Sequence, residues 1–553
     1  KVIHDRQEKT ITYRNAFLEF FGVPLIYTPY FAHPDPTVDR QSGFLAPSVF
    51  NSSTLGYGVK VPYYYVIDED KDMTITPTIT SKEGVQMAAE YRQAVESGSF
   101  QFDGSLTYVD KVDNNNNETG GQEFQGHIRG DGEFRIDDAW VWGYDIFRTT
   151  HDTYLKKYDI SDADTLTSTA YLQGQRGRNF SLLSAYSFQG LTEEDVSGET
   201  PIVPAWWNYS YVGDANSFGG RFDANADVLA IYRTDGQDTN RLSLEGGYLN
   251  PYTTGNGQVI TLDTSIRGDL YYTHDQLANP ADPSSATADD AFTGRLVPSV
   301  SVKWQYPFVR QSGSIRQVVE PIAEAVWSDV IGDNGTPNED SLSFEFDDTN
   351  LFGSNRYAGL DEVETGARLN YGLNLSAYGA SGGYTTLLFG QSYHFDKDTG
   401  FQDGTGLEDR FSDYVARLEI RPADYLQFVN RVRLDHDSLF LARNEISMKL
   451  GTVENWFDLG YVYLRDDPNG ITQDRREEIY VAGKVKLSEF WSAYGSYRRN
   501  LVNDGNSIDG RIGLEYLDEC FGIALEARRS FTRDRDVEPE TRFGVRIRLL
   551  PFN

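Results

Sequence analysis

Seven histidines, one cysteine and a surplus of carboxylates are the residues of this 553-residue chain that could do chemistry. His4, His33, His127, His151, His274, His394 and His436 are scattered, and none stands in a His-x-x-x-His or Gly-x-Ser-x-Gly context. The first pattern would seat zinc on one helix face, and the second would raise a serine nucleophile. No Gly-rich phosphate loop and no zinc spacing of Cys and His occurs either, so the sequence supports no enzyme activity, metal centre or cofactor. Acidic stretches such as 403–409 carry oxygen ligands that calcium or magnesium accepts, although such stretches are more often simply solvated. Cys520 cannot close an internal disulfide. It is a free thiol, a partner for another chain, or half of a bridge to a segment outside this sequence.

Composition narrows the elements that must position these groups. Lys and Arg number 50 against 83 Asp and Glu, a net charge of −33 with a pI near 4.6. A nucleic-acid binder needs a basic face to replace counterions, so that class is excluded. The mean hydropathy is −0.50, and no apolar run nears the roughly 18 to 20 residues of a spanning helix. Disorder is excluded by 35 Tyr, 32 Phe and 8 Trp, because disordered chains are poor in aromatics. A polar, acidic chain rich in Tyr and in its 51 Gly fits an outer-membrane β-barrel, where only every second strand residue need be apolar. The chain opens at Lys1 without Met, charged n-region or apolar h-region, so any targeting segment is expected to have been removed.

The hydrophobic period supports the same architecture. Phe100, Phe102, Gly104, Leu106 and Tyr108 alternate with Gln101, Asp103, Ser105 and Thr107, the two-residue period of a two-faced strand. Ile260, Leu262, Ile266, Leu270 and Tyr272 oppose Thr261, Asp263, Ser265, Arg267 and Asp269. Phe543, Val545, Ile547 and Leu549 oppose Arg542, Arg546 and Arg548. Residues 82–96 read equally as helix or strand, and helix content should be low. A soluble stack of β-sandwiches also alternates, but here the apolar faces end in aromatic rings, as interfacial girdles do. Connections alternate between short (68–72, 97–99) and long (110–121, 274–291, 329–341, 396–409, 465–477, 532–541). The long ones, rich in Asp, Gly, Asn or Pro, read as surface loops that cannot pack a core. About 20 residues per strand and connection over the roughly 510 residues after Ser42 gives on the order of 26 antiparallel strands.

Particular residues carry a resemblance. Gly22-Val23-Pro24, Tyr27 to Tyr30 and Ser42-Gly43-Phe44-Leu45-Ala46-Pro47 are followed by Val61-Pro62-Tyr63-Tyr64-Tyr65 and Thr74-Ile75-Thr76-Pro77. Then come Glu320-Pro321, Asn350-Leu351-Phe352, Arg356-Tyr357-Ala358-Gly359-Leu360-Asp361 and Tyr516 to Cys520. In this order the motifs resemble the LptD family of lipopolysaccharide-assembly outer-membrane proteins over nearly the whole chain. The resemblance implies an outer-membrane barrel at 43–553, preceded at 1–42 by the last strands of a periplasmic β-jellyroll. It implies insertion of lipopolysaccharide into the outer leaflet through a lateral opening between the first and last strands. Implied partners are an LptE-like lipoprotein plug inside the barrel, an LptA-like periplasmic bridge acting through the jellyroll, and the barrel-assembly machinery.

The resemblance places the seam beside Phe44, Pro47 and Pro62 at the start and Phe543, Val545 and Ile547 at the end. Proline cannot donate to a ladder, so Pro47 and Pro62 either end strands or form bulges, or weaken the closure where a gate must open. Arg542, Gly544, Ile547 and Leu549 resemble the terminal signal read by the assembly machinery. Cys520 falls where the family has adjacent cysteines, here preceded by Glu519, and the resemblance makes it a candidate tether to the missing N-terminal region. A passive channel or TonB-dependent receptor is the alternative. A receptor would carry a large globular plug before its first strand, and about 42 residues precede it here.

Overall fold

Strands whose apolar residues alternate with charges must hide one face from lipid and the other from nothing but water, and a closed barrel does both. The computed structural model describes all residues except 1, 6–9, 21–22, 35–39, 115–116, 276–289, 333–334, 342–344, 466–474, 503–504, 519–520 and 550–553. Its main body is a closed antiparallel barrel of twenty-six strands running from Gly43 to Leu549. Four strands are interrupted. The first consists of Gly43–Phe44 and Ser48–Ser52, the second of Gly56–Lys60 and Tyr63–Asp68. The other two are Ala291–Gln305 with Phe308–Ser312, and Ile315–Ser328 with Ile331–Gly332. Val2–Asp5, Thr10–Phe20 and Val23–Pro34 form a separate three-stranded sheet before the barrel. No helix among the described residues is long and apolar enough to cross a membrane.

The faces are inverted relative to a soluble protein. In the strand Val259–His274, Ile266 is 56% exposed, whereas Asp269 is fully buried and Arg267 nearly so. Charges therefore line the lumen and apolar side chains meet lipid. Aromatic pairs mark both edges of that apolar band: Phe134 stacks on Trp142 at 4.5 Å and Phe222 meets Tyr248 at 4.8 Å near the short-turn rim. Tyr108 and Phe124 lie 4.7 Å apart near the long-loop rim. Residues 82–96, undecided by periodicity, form the strand Gly84–Val95, because pairing to Lys71–Thr80 on one side and Gly98–Val112 on the other outweighs local propensity.

The reading of 329–341 and 396–409 as surface loops without a core is corrected by the structure. Glu339, Asp340 and Ser341 turn into the lumen, and Leu407 joins Phe346, Leu351 and Val415 in a buried cluster. The physical reason is that a barrel this wide has an inside walled with arginines, where acidic loop residues find partners that water would otherwise supply.

Candidate functional site

The seam between the last strand, Thr541–Leu549, and the first is the weakest closure in the ladder. The last strand pairs with Phe521–Ser530 along its full length, from Thr541 opposite Arg529 to Leu549 opposite Phe521. On its other side it meets the first strand only from Arg542 opposite Ser52 to Arg546 opposite Ser48. Ile547, Arg548 and Leu549 have no partner there, and Gly43–Phe44 pairs only with Tyr64 and Tyr63 of the second strand. The half of the seam toward the long-loop rim is fastened and the other half is unpaired.

Prolines set where pairing stops. Pro47 immediately precedes the last paired residue of the first strand, and Pro62 sits in the break of the second. The Val61 N–H donates to the Pro77 carbonyl at 3.1 Å and the Leu45 N–H to the Pro62 carbonyl at 2.9 Å. The register of Ser48 with Lys60 and Lys60 with Thr78 thus aligns Pro47, Val61 and Pro77 across three strands, with Pro62 beside them. Each proline removes a donor along that line. Pro77 was visible in the sequence only as part of a motif. Its alignment with Pro47 depends on register, which no local pattern carries.

The fastened half is strapped from inside. Residues 150–164 carry the short helix Tyr154–Lys157 and fold into the lumen, where Tyr154, Leu155 and Tyr158 pack with Phe50 and Leu55 beside the seam. The Gln86 amide donates to the Tyr154 hydroxyl at 2.8 Å, and that hydroxyl shares a 2.6 Å hydrogen bond with Ser105. Ser105 also meets His127 Nδ1 at 2.8 Å, and His127 Nε2 lies 3.3 Å from Asp103. A serine, a histidine and an aspartate thus stand in one hydrogen-bonded line. Its serine is buried and occupied by Tyr154, so it anchors the strap. At the far end, Asp159 receives Arg528 at 2.5 Å and Arg542 at 3.0 Å, and Lys156 bridges Asp164 at 2.9 Å and Asp534 at 2.6 Å. At the rim, Ser53 N–H donates to the Thr541 carbonyl at 3.1 Å, and Ser52 donates to Glu540.

Burial acts to raise the Asp534 carboxyl, but the hydrogen bond and charge of Lys156, with Arg535, outweigh it and hold the group below the usual carboxylate range. A depressed carboxylate stabilises above its ordinary pKa of about 4 and loses that contribution only as pH falls through the lowered value. The strap is therefore expected to stay docked from neutral pH down to about pH 4 and to loosen below it. Limited proteolysis within 150–164 across that range checks this. Onset of cleavage between about pH 7 and 5 would contradict it.

The opposite half of the lumen is filled. Arg241 is buried between Asp227 at 2.9 Å, Asp340 at 2.6 Å and Asp361 at 2.6 Å. The last two belong to the loop between the strands that end at Gly332 and begin at Gly366. Arg267 and Arg295 each donate to the Leu360 carbonyl at 2.7 Å, Arg443 reaches Glu345 at 2.6 Å and Arg431 reaches Asp348 at 3.2 Å. Within the loop Glu364 is held by Arg356 and by Arg368 at 3.3 Å. Burial alone would raise the Glu364 carboxyl, and the two arginines keep it low. Burial beside Asp340 pushes Asp361 up despite Arg241.

Of the residues singled out by sequence, the structure brings Phe44 against Tyr63 at 5.0 Å, places Pro47 and Pro62 in the strand breaks, and sets Phe543 and Val545 in the paired half. Phe543 is 57% exposed on the outer face. Ile547 and Leu549 lie in the unpaired half. Arg542 points inward to Asp159, so it serves the strap as well as the strand pattern, and Gly544 pairs with Phe50. Cys520 lies outside the described residues. Sequence reasoning missed the strap and the arginine-lined wall of the filled lobe. The inward Arg267 and Asp269 were legible as a polar face, but their loop partners were not. Among the described residues, no group of three or more His, Cys, Asp and Glu is arranged to hold a metal ion.

The sequence profile of the family described as LPS transport system D matches residues 123–491, and that of LptD protein matches 11–136. Similar proteins include the LPS-assembly protein LptD of Pectobacterium atrosepticum, 24% identical over 100% of this chain and 74% of that one. The LPS-assembly protein LptD of Vibrio cholerae is 22% identical over 94% of this chain and 68% of that one. That of Escherichia coli K12 is 23% identical over 96% and 70%.

Proposed function

Because the chain belongs to the LptD family, we propose that its barrel releases lipopolysaccharide sideways into the outer leaflet through the half-paired seam between Gly43–Ser52 and Thr541–Leu549. The protein is an integral β-barrel of the outer membrane that serves lipopolysaccharide transport and assembly, and it is not an enzyme. The observation that carries the lateral route is the register: pairing ends at Ser48 and Arg546, at the level of Pro47, and the strand edges beyond it are free of each other. A strand edge left unpaired in a closed barrel is costly unless it is used.

The remaining architecture supports a division of labour. The described residues of 335–365, with those of 395–413, fill the lobe walled by residues 227–443, which leaves the seam side for the sugar portion and for an LptE-like lipoprotein plug. The N-terminal segment 1–42, which carries the three-stranded sheet, is read as the end of a periplasmic jellyroll receiving lipid from an LptA-like bridge. Arg40 fixes its exit onto the barrel by donating to the Glu69 carbonyl at 2.6 Å, to the Tyr64 hydroxyl at 3.1 Å, and to Asp72, which Arg92 also binds at 2.9 Å. Cys520 would tether the two domains, and Arg542, Gly544, Ile547 and Leu549 would present the strand to the barrel-assembly machinery. Depleting the protein in cells is expected to empty the outer leaflet of newly made lipopolysaccharide while precursor accumulates on the periplasmic side. Normal surface lipopolysaccharide after depletion would overturn the reading.

A further inference from the structure

The apolar wall that the barrel shows to lipid is not of one height. On the strands Val259–His274 and Ala291–Gln305 the outward face is uncharged from Ile260, opposite Trp304, to Tyr272, opposite Phe292. Aromatic residues with bonded polar tips mark its two ends. Trp304 Nε1 donates to Gln258 at 2.8 Å, and the Tyr272 hydroxyl donates to Asp290 at 2.7 Å. Twelve residue steps separate these ends. At about 3.4 Å per residue and a tilt of about 40°, the band is about 30 Å tall.

Half-way round the ladder the band is far shorter. On the strands Arg476–Lys486, Trp491–Asn500 and Thr541–Leu549, the lumen face is fixed by the ion pairs Arg498–Glu478 at 2.7 Å, Lys484–Glu515 at 3.0 Å and Arg542–Asp159 at 3.0 Å. Their odd-numbered residues therefore face lipid. The outward face is apolar only from Ile479 to Val485 and from Trp491 to Tyr497, six residue steps each. By the same geometry that is about 15 Å. The next outward residue toward the long-loop rim is charged: Glu477, Arg499 and, on Phe521–Ser530, Arg529. Arg499 lies opposite Ile479, and Arg529 opposite Thr541 of the last strand. Tyrosines border this polar ledge, as they do at a membrane interface. The Tyr461 hydroxyl donates to Glu477 at 3.0 Å, and the Tyr497 and Ser507 hydroxyls share a 2.7 Å hydrogen bond. At the short-turn end Trp491 packs on Tyr516 at 5.2 Å.

We propose that the barrel thins the outer membrane along the wall from Arg476–Lys486 to its last strand, where its lipid partner is a bilayer with a hydrocarbon layer about half as thick as on the opposite wall. In a layer of ordinary height, about 25 Å, Arg499 would stand inside the hydrocarbon, about 20 Å above Trp491. Tilting the whole barrel would raise or lower a band without lengthening it. Snorkelling lets Arg499 and Arg529 reach the nearby headgroups of a thin layer, but it does not turn Glu477 into a lipid-facing residue. The inference goes beyond the lateral route and stands whether or not lipid leaves by the seam.

The test uses the full chain with Cys520→Ser, reconstituted in dioleoylphosphatidylcholine vesicles and carrying one nitroxide at a time. Ala493→Cys, Gly495→Cys and Arg499→Cys label the short wall two, four and eight steps from Trp491, and Val302→Cys, Val300→Cys and Leu296→Cys label the long wall at the same steps from Trp304. Glu489→Cys labels the short turn below Trp491. Oxygen and a nickel chelate as paramagnetic relaxants read the depth of each label. The label at 296 is expected in hydrocarbon, those at 499 and 489 in water, and the greatest depth on the short wall at about half that on the long wall. A label at 499 or 489 as deep as that at 300 would overturn the proposal. Exclusion of both relaxants at 493 and 495, with spin–spin broadening, would also overturn it, because protein and not lipid would then cover the wall. R499L/R529L lengthens the band by one outward position and should deepen the label at 495 by about 5 Å. An unchanged depth there would overturn the role of the ledge. Heat-modifiable migration verifies that each labelled chain is a folded barrel.

Discussion

Replacing Pro47 and Pro62 together with valine is expected to cut delivery of lipopolysaccharide to the cell surface by about tenfold or more while the barrel still folds. The register at Ser48 opposite Arg546 extends naturally to Pro47 opposite Ile547, Ala46 opposite Arg548 and Leu45 opposite Leu549. Pro47 blocks the first of these pairs, and Pro62 interrupts the strand that supports them. Each new ladder hydrogen bond contributes about 0.5–1.5 kcal/mol net. Two of them at about 1 kcal/mol each already make the open seam more than tenfold rarer, since 1.4 kcal/mol is a factor of ten. The readout is surface lipopolysaccharide and exclusion of bulky hydrophobic antibiotics, with heat-modifiable migration as the folding control. Wild-type surface levels in a folded double variant would mean that the prolines merely end strands. Pro77→Val alone is expected to act weakly, since it lies in an unbroken strand away from the closing edge.

Arg241→Ala is expected to destabilise the barrel by roughly 3–5 kcal/mol and to expel from the lumen the loop between Gly332 and Gly366. Arg241 is the shared partner of Asp227, Asp340 and Asp361, all within 2.9 Å of its guanidinium. Removing it leaves three buried carboxylates without their shared cation: Asp227 keeps the Trp206 and Asn208 donors, Asp340 keeps the Ser341 hydroxyl and backbone N–H groups, and Asp361 keeps backbone N–H groups and the Tyr271 hydroxyl at 3.0 Å. Asp361 is already pushed up by burial and by Asp340, so it would take up a proton first, and its hold on the N–H groups of Glu339 and Asp340 would weaken. Thermal unfolding in detergent should fall clearly, and protease sites between 335 and 365 should open. A variant with the wild-type melting temperature and a protected loop would show that the hydrophobic cluster around Phe346 and Leu351 holds the loop without the ion pairs. Arg241→Lys should recover only part of the loss, because one ammonium cannot reach three carboxylates in the geometry of a planar guanidinium.

The two variants probe different links of the same chain of causes. The prolines act on backbone pairing at the seam, so their effect should appear in transport before stability. Arg241 acts on the packing of the opposite lobe, so its effect should appear in stability and, through the altered lumen, in transport.

What the sequence determined by itself is everything that repeats at short range. The two-residue period of Ile266, Leu270 and Tyr272 against Arg267 and Asp269 is local, and a strand carries it whatever its neighbours are. The barrel class and the strand number near 26 followed from that period and from the spacing of connections. The ordered motifs from Gly22 to Cys520 carried the family. What only the tertiary structure decided depends on register and closure. Pro47 and Pro77 stand 30 residues apart in the chain and at one level in the wall, because antiparallel pairing folds the chain back on itself at each turn. Asp340 and Asp361 look like solvated loop residues until a barrel wide enough to admit them brings Arg241 within reach. Residues 150–164 look like a polar connection until Tyr154 finds Ser105 and Asp159 finds Arg528 and Arg542, more than 360 residues away. Periodicity says which face a side chain takes, and only the closed barrel says what stands across from it.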